Sequence, residues 1–248
     1  MPEISHPLGS SLWLEQVFAS PPAITLRGRT KHTQYHHRYI ETLGRYVGAQ
    51  GARESAALTV LEYLCELGHI TRFKEQPFRT TENEFGAEIV PDFLAVSAAY
   101  NEAFVIEVKN TRFLDRFTQS KLASNRMRFV PCHLNYIVWT DQRPLNKALR
   151  TNISQMRHYG ELVSLAERNA LSAFVLDCGS ISVEAALKND FDLSAIYAAA
   201  WHGDVHFEIT SPMNFKTKLS PLPVQNLPAI FLNSKHGEDD WWANLDRS

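Results

Sequence analysis

Three cysteines, Cys65, Cys132 and Cys178, are all that the 248-residue chain contains. They are odd in number and far apart, which excludes a disulfide framework and the paired spacing of a zinc site, and points to a reducing cytosol. No apolar run approaches the roughly 18 residues that span a bilayer, so no membrane partner is expected. The start, M-P-E-I-S-H-P-L-G-S-S, lacks a basic stretch followed by an apolar one, and no secretory signal is expected there. An excess of one charge is lacking too: 25 Lys and Arg stand against 27 Asp and Glu, for a net charge of −2. Any nucleic-acid binding therefore has to rest on local patches. There is no internal repeat. The 44% hydrophobic content and mean hydropathy of −0.24 are those of a globular chain with a substantial core.

Residues 1–50 show no sustained hydrophobic period and are broken by Pro2, Pro7, Pro21 and Pro22. Arg27, Arg29, Lys31, Arg38 and Arg45, with His32, His36 and His37 among them, make a basic arm suited to a phosphate backbone or to plain solvation. Over Arg53–Leu67, Ala57, Leu58, Leu61, Leu64 and Cys65 recur at helical spacing, and Gly68 follows as a stop. Strands are expected at Ile70–Phe73 and Glu75–Thr81, then at Ile89–Val96 and Ala103–Val108 across a polar turn. A helix over Phe113–Met127 carries Lys121 and Arg126, with Arg128 just beyond, a basic face for phosphates or for water. Leu134–Trp139 reads as a buried parallel strand, and Pro144 opens a helix over Leu145–Tyr159. The order defines an α/β domain over 51–160 with a mixed sheet flanked by helices. Beyond it, Glu161–Asn169, Val183–Lys188 and Leu193–His202 read as helices and Asp204–Thr210 as a half-exposed strand, a small, mostly helical module of winged-helix type over 161–220. Residues 221–248 are a proline-rich linker ending in the acidic-aromatic Glu238-Asp239-Asp240-Trp241-Trp242, whose Trp241 and Trp242 suit anchoring to a partner or to the chain's own surface.

The chemistry concentrates in Ile89–Lys109. Asp92 lies in the first strand, and Glu107 and Lys109 end the second. Alternation points Glu107 and Lys109 one way and Val108 the other. Three charges at the end of an apolar sheet cost folding free energy unless something binds them. A divalent cation held by two carboxylates, with an ammonium beside it, accounts for them, and hard oxygen ligands select Mg²⁺ or Mn²⁺. The bland alternative is that Asp92 caps a turn while Glu107 and Lys109 form a surface ion pair.

P-D followed by E-V-K, with an upstream helix carrying Glu54, resembles the PD-(D/E)XK nuclease superfamily. That resemblance implies phosphodiester hydrolysis, with Glu54, Asp92, Glu107 and the Val108 carbonyl around the metal and Lys109 at the attacking water. Desolvation and the metal would lower the Lys109 pKa, against the two carboxylates. Glu62, two turns down the helix, is a rival to Glu54. Gln76 lies near enough to orient water or metal, or to make a structural hydrogen bond.

The series E-S-A-A-L-T-V-L-E-Y-L-C-E-L-G, F-K-E-Q-P-F, V-P-D-F-L, F-V-I-E-V-K and L-N-Y-I-V-W-T-D, over Arg53–Tyr159, is similar to the TnsA family, the endonuclease subunits of heteromeric transposases. The best-known member has Gln where Glu107 stands. The resemblance implies a Mg²⁺-dependent nuclease that cuts the 5′ ends of a transposon in double-stranded DNA. Its implied partners are a DDE-type transposase subunit and an AAA+ ATPase regulator docking on residues 160–248, in a prokaryotic cytoplasm and on the nucleoid when bound to DNA. A restriction or repair enzyme of the same superfamily acting alone, or a silent DNA-binding or bridging module, are the alternatives.

Overall fold

The computed structural model describes residues 6–23, 35–81, 88–98 and 102–232. Helix α1 (Ser11–Ala19) starts at Ser10, whose hydroxyl accepts from the Trp13 amide at 3.2 Å. A hairpin of β1 (Tyr35–Ile40) and β2 (Arg45–Gln50) turns at Gly44, where φ is +62°. Helix α2 (Gly51–Glu66) follows without a break and is closed by Gly68 at φ +69°.

Four strands then build the central sheet: β3 (Ile70–Glu75), β4 (Phe93–Ser97), β5 (Ala103–Lys109) and β6 (Leu134–Thr140). They lie in that order, β3–β4 and β4–β5 antiparallel and β5–β6 parallel. The parallel pair needs a crossover, supplied by α3 (Arg116–Phe129), which Asp115 caps by accepting from the Thr118 amide at 2.7 Å. Helix α4 (Lys147–Gly160) is capped by Asn146.

The chain continues through α5 (Leu165–Cys178), β7 (Ile181–Ser182), α6 (Val183–Lys188) and α7 (Leu193–Trp201). It ends with β8 (Lys218–Leu219) and α8 (Leu227–Phe231). β8 pairs antiparallel with β7, and an isolated bridge joins Ser220 to His206, so three short extended pieces stand beside the three helices.

Strand alternation sorts the sheet side chains onto two cores. Phe93, Ala95, Phe104, Ile106, Ile137 and Trp139 face α2 and α4; Leu94, Ala103, Val105 and Tyr136 face α1 and α3. Helices therefore cover both faces, as a strand buried on both sides requires.

The first core runs on past residue 160. Tyr63 of α2 donates its hydroxyl to the Ala200 carbonyl at 3.3 Å, and Trp139 of β6 donates its indole N–H to Phe231 at 3.0 Å. Asn152 of α4 donates to the carbonyls of Ile209 and Ser211 at 2.9 and 2.8 Å. A Cβ at Gly160 would lie 2.6 Å from the Trp201 ring, so only glycine lets α4 end against α7.

Several sequence expectations are corrected. Residues 11–19 are helical although no period showed there, because a helix this short has room for only one buried pair, Trp13 and Val17. The basic stretch that includes Arg38 and Arg45 forms the hairpin, and both guanidiniums pair with acids, Glu62 and Glu75. Arg27, Arg29, Lys31, Trp241 and Trp242 lie outside the described residues. Glu75–Thr81 is not a strand: β3 stops at Glu75, where Gln76 turns the chain with φ +38°. Pro144 precedes the α4 cap rather than opening the helix. The helix expected at Glu161–Asn169 runs over Leu165–Cys178, set by the Ser164–Glu167 capping box. Asp204–Thr210 makes a single bridge rather than a strand. Among the described residues, no helix is long and apolar enough to cross a membrane.

Candidate active site

The antiparallel registers place the charges. Glu75 opposes Phe93 and Phe93 opposes Ile106, so one further step sets Gln76, Asp92 and Glu107 in a row across three strands. Directly opposed residues share a face, here the α1/α3 face that Leu94 and Val105 also point to. Lys109, two residues beyond Glu107, joins it. Glu54 arrives from the other side, in the first turn of α2, at the end of the sheet where the strands stop.

Each carboxylate is held by a local bond. Asp92 Oδ2 accepts from the Val108 amide at 2.7 Å. In an extended strand the N–H and C=O of one residue face the same edge, so the Val108 carbonyl is turned toward Asp92 as well. Glu107 Oε1 forms an ion pair with the Lys109 ammonium. Glu54 Oε2 accepts from the Gln50 amide at 2.8 Å, across the N-terminus of its own helix.

These groups feel one another. Burial and the Asp92 charge push Glu54 up to about 7, against the Gln50 amide and Lys109. Burial and the Asp92 charge likewise push Glu107 up to about 7, with Lys109 and Lys121 opposing. Burial raises Asp92, against Lys109 and the Val108 amide. Burial alone would lower Lys109, but Glu107 and Asp92 outweigh it and its pKa is raised. The balance in the structure is therefore opposite to the lowering expected of a base: Lys109 here is a proton-bearing cation.

The three carboxylates gather around one ammonium, and the balance is not neutral. Glu107 Oε2 is buried without a hydrogen-bond partner, and so is Gln76 Oε1. An acceptor buried without a donor costs on the order of 1–3 kcal/mol, more for a charged group. Among the described residues no group of three or more His, Cys, Asp or Glu side chains forms a ready metal cage. The donors that do fit a hard cation are mixed: the Asp92 and Glu107 carboxylates and the Val108 carbonyl. Glu54 would take part directly or through water.

Gln76 combines a positive φ with a place in the row, and its backbone ties two segments. Its N–H donates to the Asp92 carbonyl at 2.8 Å, and its own carbonyl accepts from the Ala23 amide at 2.7 Å. Next to it, Lys74 is buried and donates to the carbonyls of Val17 and Ser20 at the end of α1, which pins that helix beside the site.

Glu62, the rival to Glu54, is placed elsewhere: it accepts from Arg38 at 2.7 Å and Arg157 at 2.9 Å, tying the hairpin and α4 to α2. The basic residues of α3 divide. Lys121 is within electrostatic reach of Glu107, and Arg128 shares its side of the helix and donates to Asn125 at 3.5 Å. Arg126 projects to the far side. Reasoning from sequence missed two neighbours. Tyr136 on β6, its buried ring stacked on Phe129 at 5.4 Å, lies opposite Val105 and within electrostatic reach of Glu107. Asp141 accepts from the Thr111 amide at 2.8 Å, tying the turn after Lys109 to the end of β6, and against burial the bonds to Thr111 with the Arg53 charge hold its carboxyl low. The T-D ending of β6 hinted at the second; a tyrosine inside an apolar run gave no sign of the first.

Comparison of the chain with protein-family models and with curated proteins finds no match.

Proposed function

We propose that the protein is a metal-dependent DNA endonuclease built on a PD-(D/E)XK core, and that it serves as the 5′-end-cutting subunit of a heteromeric transposase. The observation that carries the nuclease reading is the buried, unpartnered Glu107 oxygen beside Asp92 and Glu54, with Lys109 paired to Glu107 and Lys121 within electrostatic reach against three carboxylates. Mg²⁺ or Mn²⁺, held by Asp92, Glu107 and the Val108 carbonyl, would supply a Lewis acid for the phosphate oxygens and a more acidic bound water.

The chain's own groups do the rest. Lys109, kept as an ammonium by Glu107 and Asp92, offsets the charge that builds on the phosphorane-like transition state. Glu54, in the first turn of α2 at the end of the sheet, can hold the attacking water or take a proton from it. The Val108 amide fixes the Asp92 carboxylate so that its other oxygen stays available. Lys121 on α3 attracts the DNA strand toward the row.

The transposition role rests on the resemblance of residues 53–159 to the TnsA family. It brings the DDE-type and AAA+ partners and a cytoplasmic, nucleoid-associated location. The order helix, strand, helix, helix and two further extended pieces over 165–220 supports a winged-helix reading of the C-terminal module. Its last helix, α7, is packed into α4, with Ile196, Ala199 and Ala200 buried. We therefore assign the module to supporting the core and docking a protein partner rather than to reading a DNA groove.

The test is cleavage of duplex DNA carrying the transposon ends, with Mg²⁺, by the chain alone and with its DDE-type subunit. Nicking at the 5′ ends only when both are present supports the full reading. Efficient cutting by the chain alone makes it a standalone nuclease. No cutting in either mixture overturns the assignment.

A further inference from the structure

Helix α3 exposes what a helix covering a sheet would normally hide. Phe117 is 79% exposed, and Phe113, in the turn just before the helix, is 58% exposed. The helix buries Leu122, Asn125 and Phe129 against the sheet. At about 3.6 residues per turn, Phe117, Lys121, Ser124 and Arg128 fall in one stripe along the side of that buried face. Arg126, nine residues from Phe117, falls opposite. The Lys121 ammonium on this stripe is the one within reach of Glu107, so the stripe borders the proposed active site.

The chemistry of the stripe is of one kind. Arg112 lies with its guanidinium 4.4 Å from the centre of the Phe113 ring, and Lys121 and Arg128 add further cations along the stripe. The acid in this segment, Asp115, is spent on the helix cap. Cations interleaved with solvent-facing aromatic rings suit a polyanion that also offers flat apolar faces. A fully paired duplex shows phosphates at its surface but keeps its base faces stacked. A strand with an unpaired nucleotide shows both.

We propose that the α3 stripe is a base-stacking platform, and that the substrate presented to this site carries an unpaired nucleotide, stacked on Phe117, next to the phosphate to be cut. The proposal rests on the nuclease reading and narrows it: the duplex end bound here is locally opened, with the nucleotide beside the phosphate to be cut unpaired. Lys121 and Arg128 hold the phosphates on either side of the splayed base, and Phe113 with Arg112 extends the platform toward Lys109.

Equilibrium binding by fluorescence anisotropy, with EDTA present so that no cutting occurs, separates the two readings. The probes are a blunt duplex and the same duplex with a short single-stranded tail. The full chain is expected to bind the tailed probe roughly tenfold more tightly or better, the size of one base–aromatic stack. Phe117→Ala should bring the ratio close to one, and Phe117→Trp should keep it. Lys121→Ala should weaken both probes by a common factor and lower the salt slope by about one. A ratio near one for the unaltered chain, or a preference that survives Phe117→Ala, overturns the platform while leaving the nuclease reading standing. Failure to bind either probe overturns the platform, while the nuclease reading is decided separately by the cleavage assay with the DDE-type subunit.

Discussion

Charge burial at the site should make the metal-free protein less stable as the pH rises. Glu107 is pushed to about 7 from an ordinary carboxylate value near 4.5. A carboxyl whose pKa is raised by folding binds its proton more tightly in the native state. Between about 4.5 and 7 the unfolded chain therefore holds fewer protons than the native one, and stability falls with rising pH. At about 1.4 kcal/mol per pH unit, the full cost is about 3 kcal/mol for this one group, lost between pH 4.5 and 7 and constant above. For a domain of this size that is a fall in Tm of about 6–12 °C. Glu54 adds a cost of the same sign in the same window. Thermal unfolding in EDTA from pH 5 to 8, for the unaltered chain and for Glu107→Gln, measures it. The variant should lose much of the slope and be the more stable of the two at pH 8. Added Mg²⁺ should raise Tm of the unaltered chain at pH 8 and do much less at pH 5, where protons already occupy the carboxylates. A Tm that is flat or rising over this range, with Glu107→Gln following the same curve, refutes the reasoning.

Two further substitutions separate catalytic from structural acids. Glu62→Gln removes the carboxylate that Arg38 and Arg157 share, leaving Arg38 with Thr59 and Arg157 with Glu161, and should cost about 1–3 kcal/mol in urea unfolding, whereas Glu54→Gln should leave stability at pH 8 unchanged or higher while impairing cleavage. A larger stability loss in Glu54→Gln than in Glu62→Gln would reverse the two roles. Asn152→Ala leaves the Ile209 and Ser211 carbonyls without donors, so it should cost about 1–3 kcal/mol and speed hydrogen exchange over residues 205–211. Exchange no faster than in the unaltered chain would show that Asn152 does not hold this segment.

Much of the sheet and of α2 was legible because their periods are long and clean. The stripe Ala57–Leu64 and the apolar run of β6 announce a helix and a buried parallel strand, and both are there. The row of Asp92, Glu107 and Lys109 was legible for a related reason: the two-residue period of a strand fixes which side chains share a face. Helix α1 was not, since Trp13 and Val17 are a single helical pair. Nor was the hairpin, whose arginines read as a solvent-facing arm until Glu62 and Glu75 are seen opposite them. Partners that distant acids supply leave no local signal. The same holds for the junction past residue 160: composition changes there, while the core continues through Tyr63, Trp139 and Asn152. Gln76 stood out in the sequence only by lying near the proposed site. Its positive φ and its place beside Asp92 come from the fold.

Calorimetric titration with Mn²⁺ at pH 8, comparing the unaltered chain with Asp92→Asn and Glu107→Gln, tests the central claim most directly. If these carboxylates form a cation site, the unaltered chain binds Mn²⁺ and both variants lose that binding while still melting cooperatively. Binding that persists in both variants, or no binding by the unaltered chain, contradicts it.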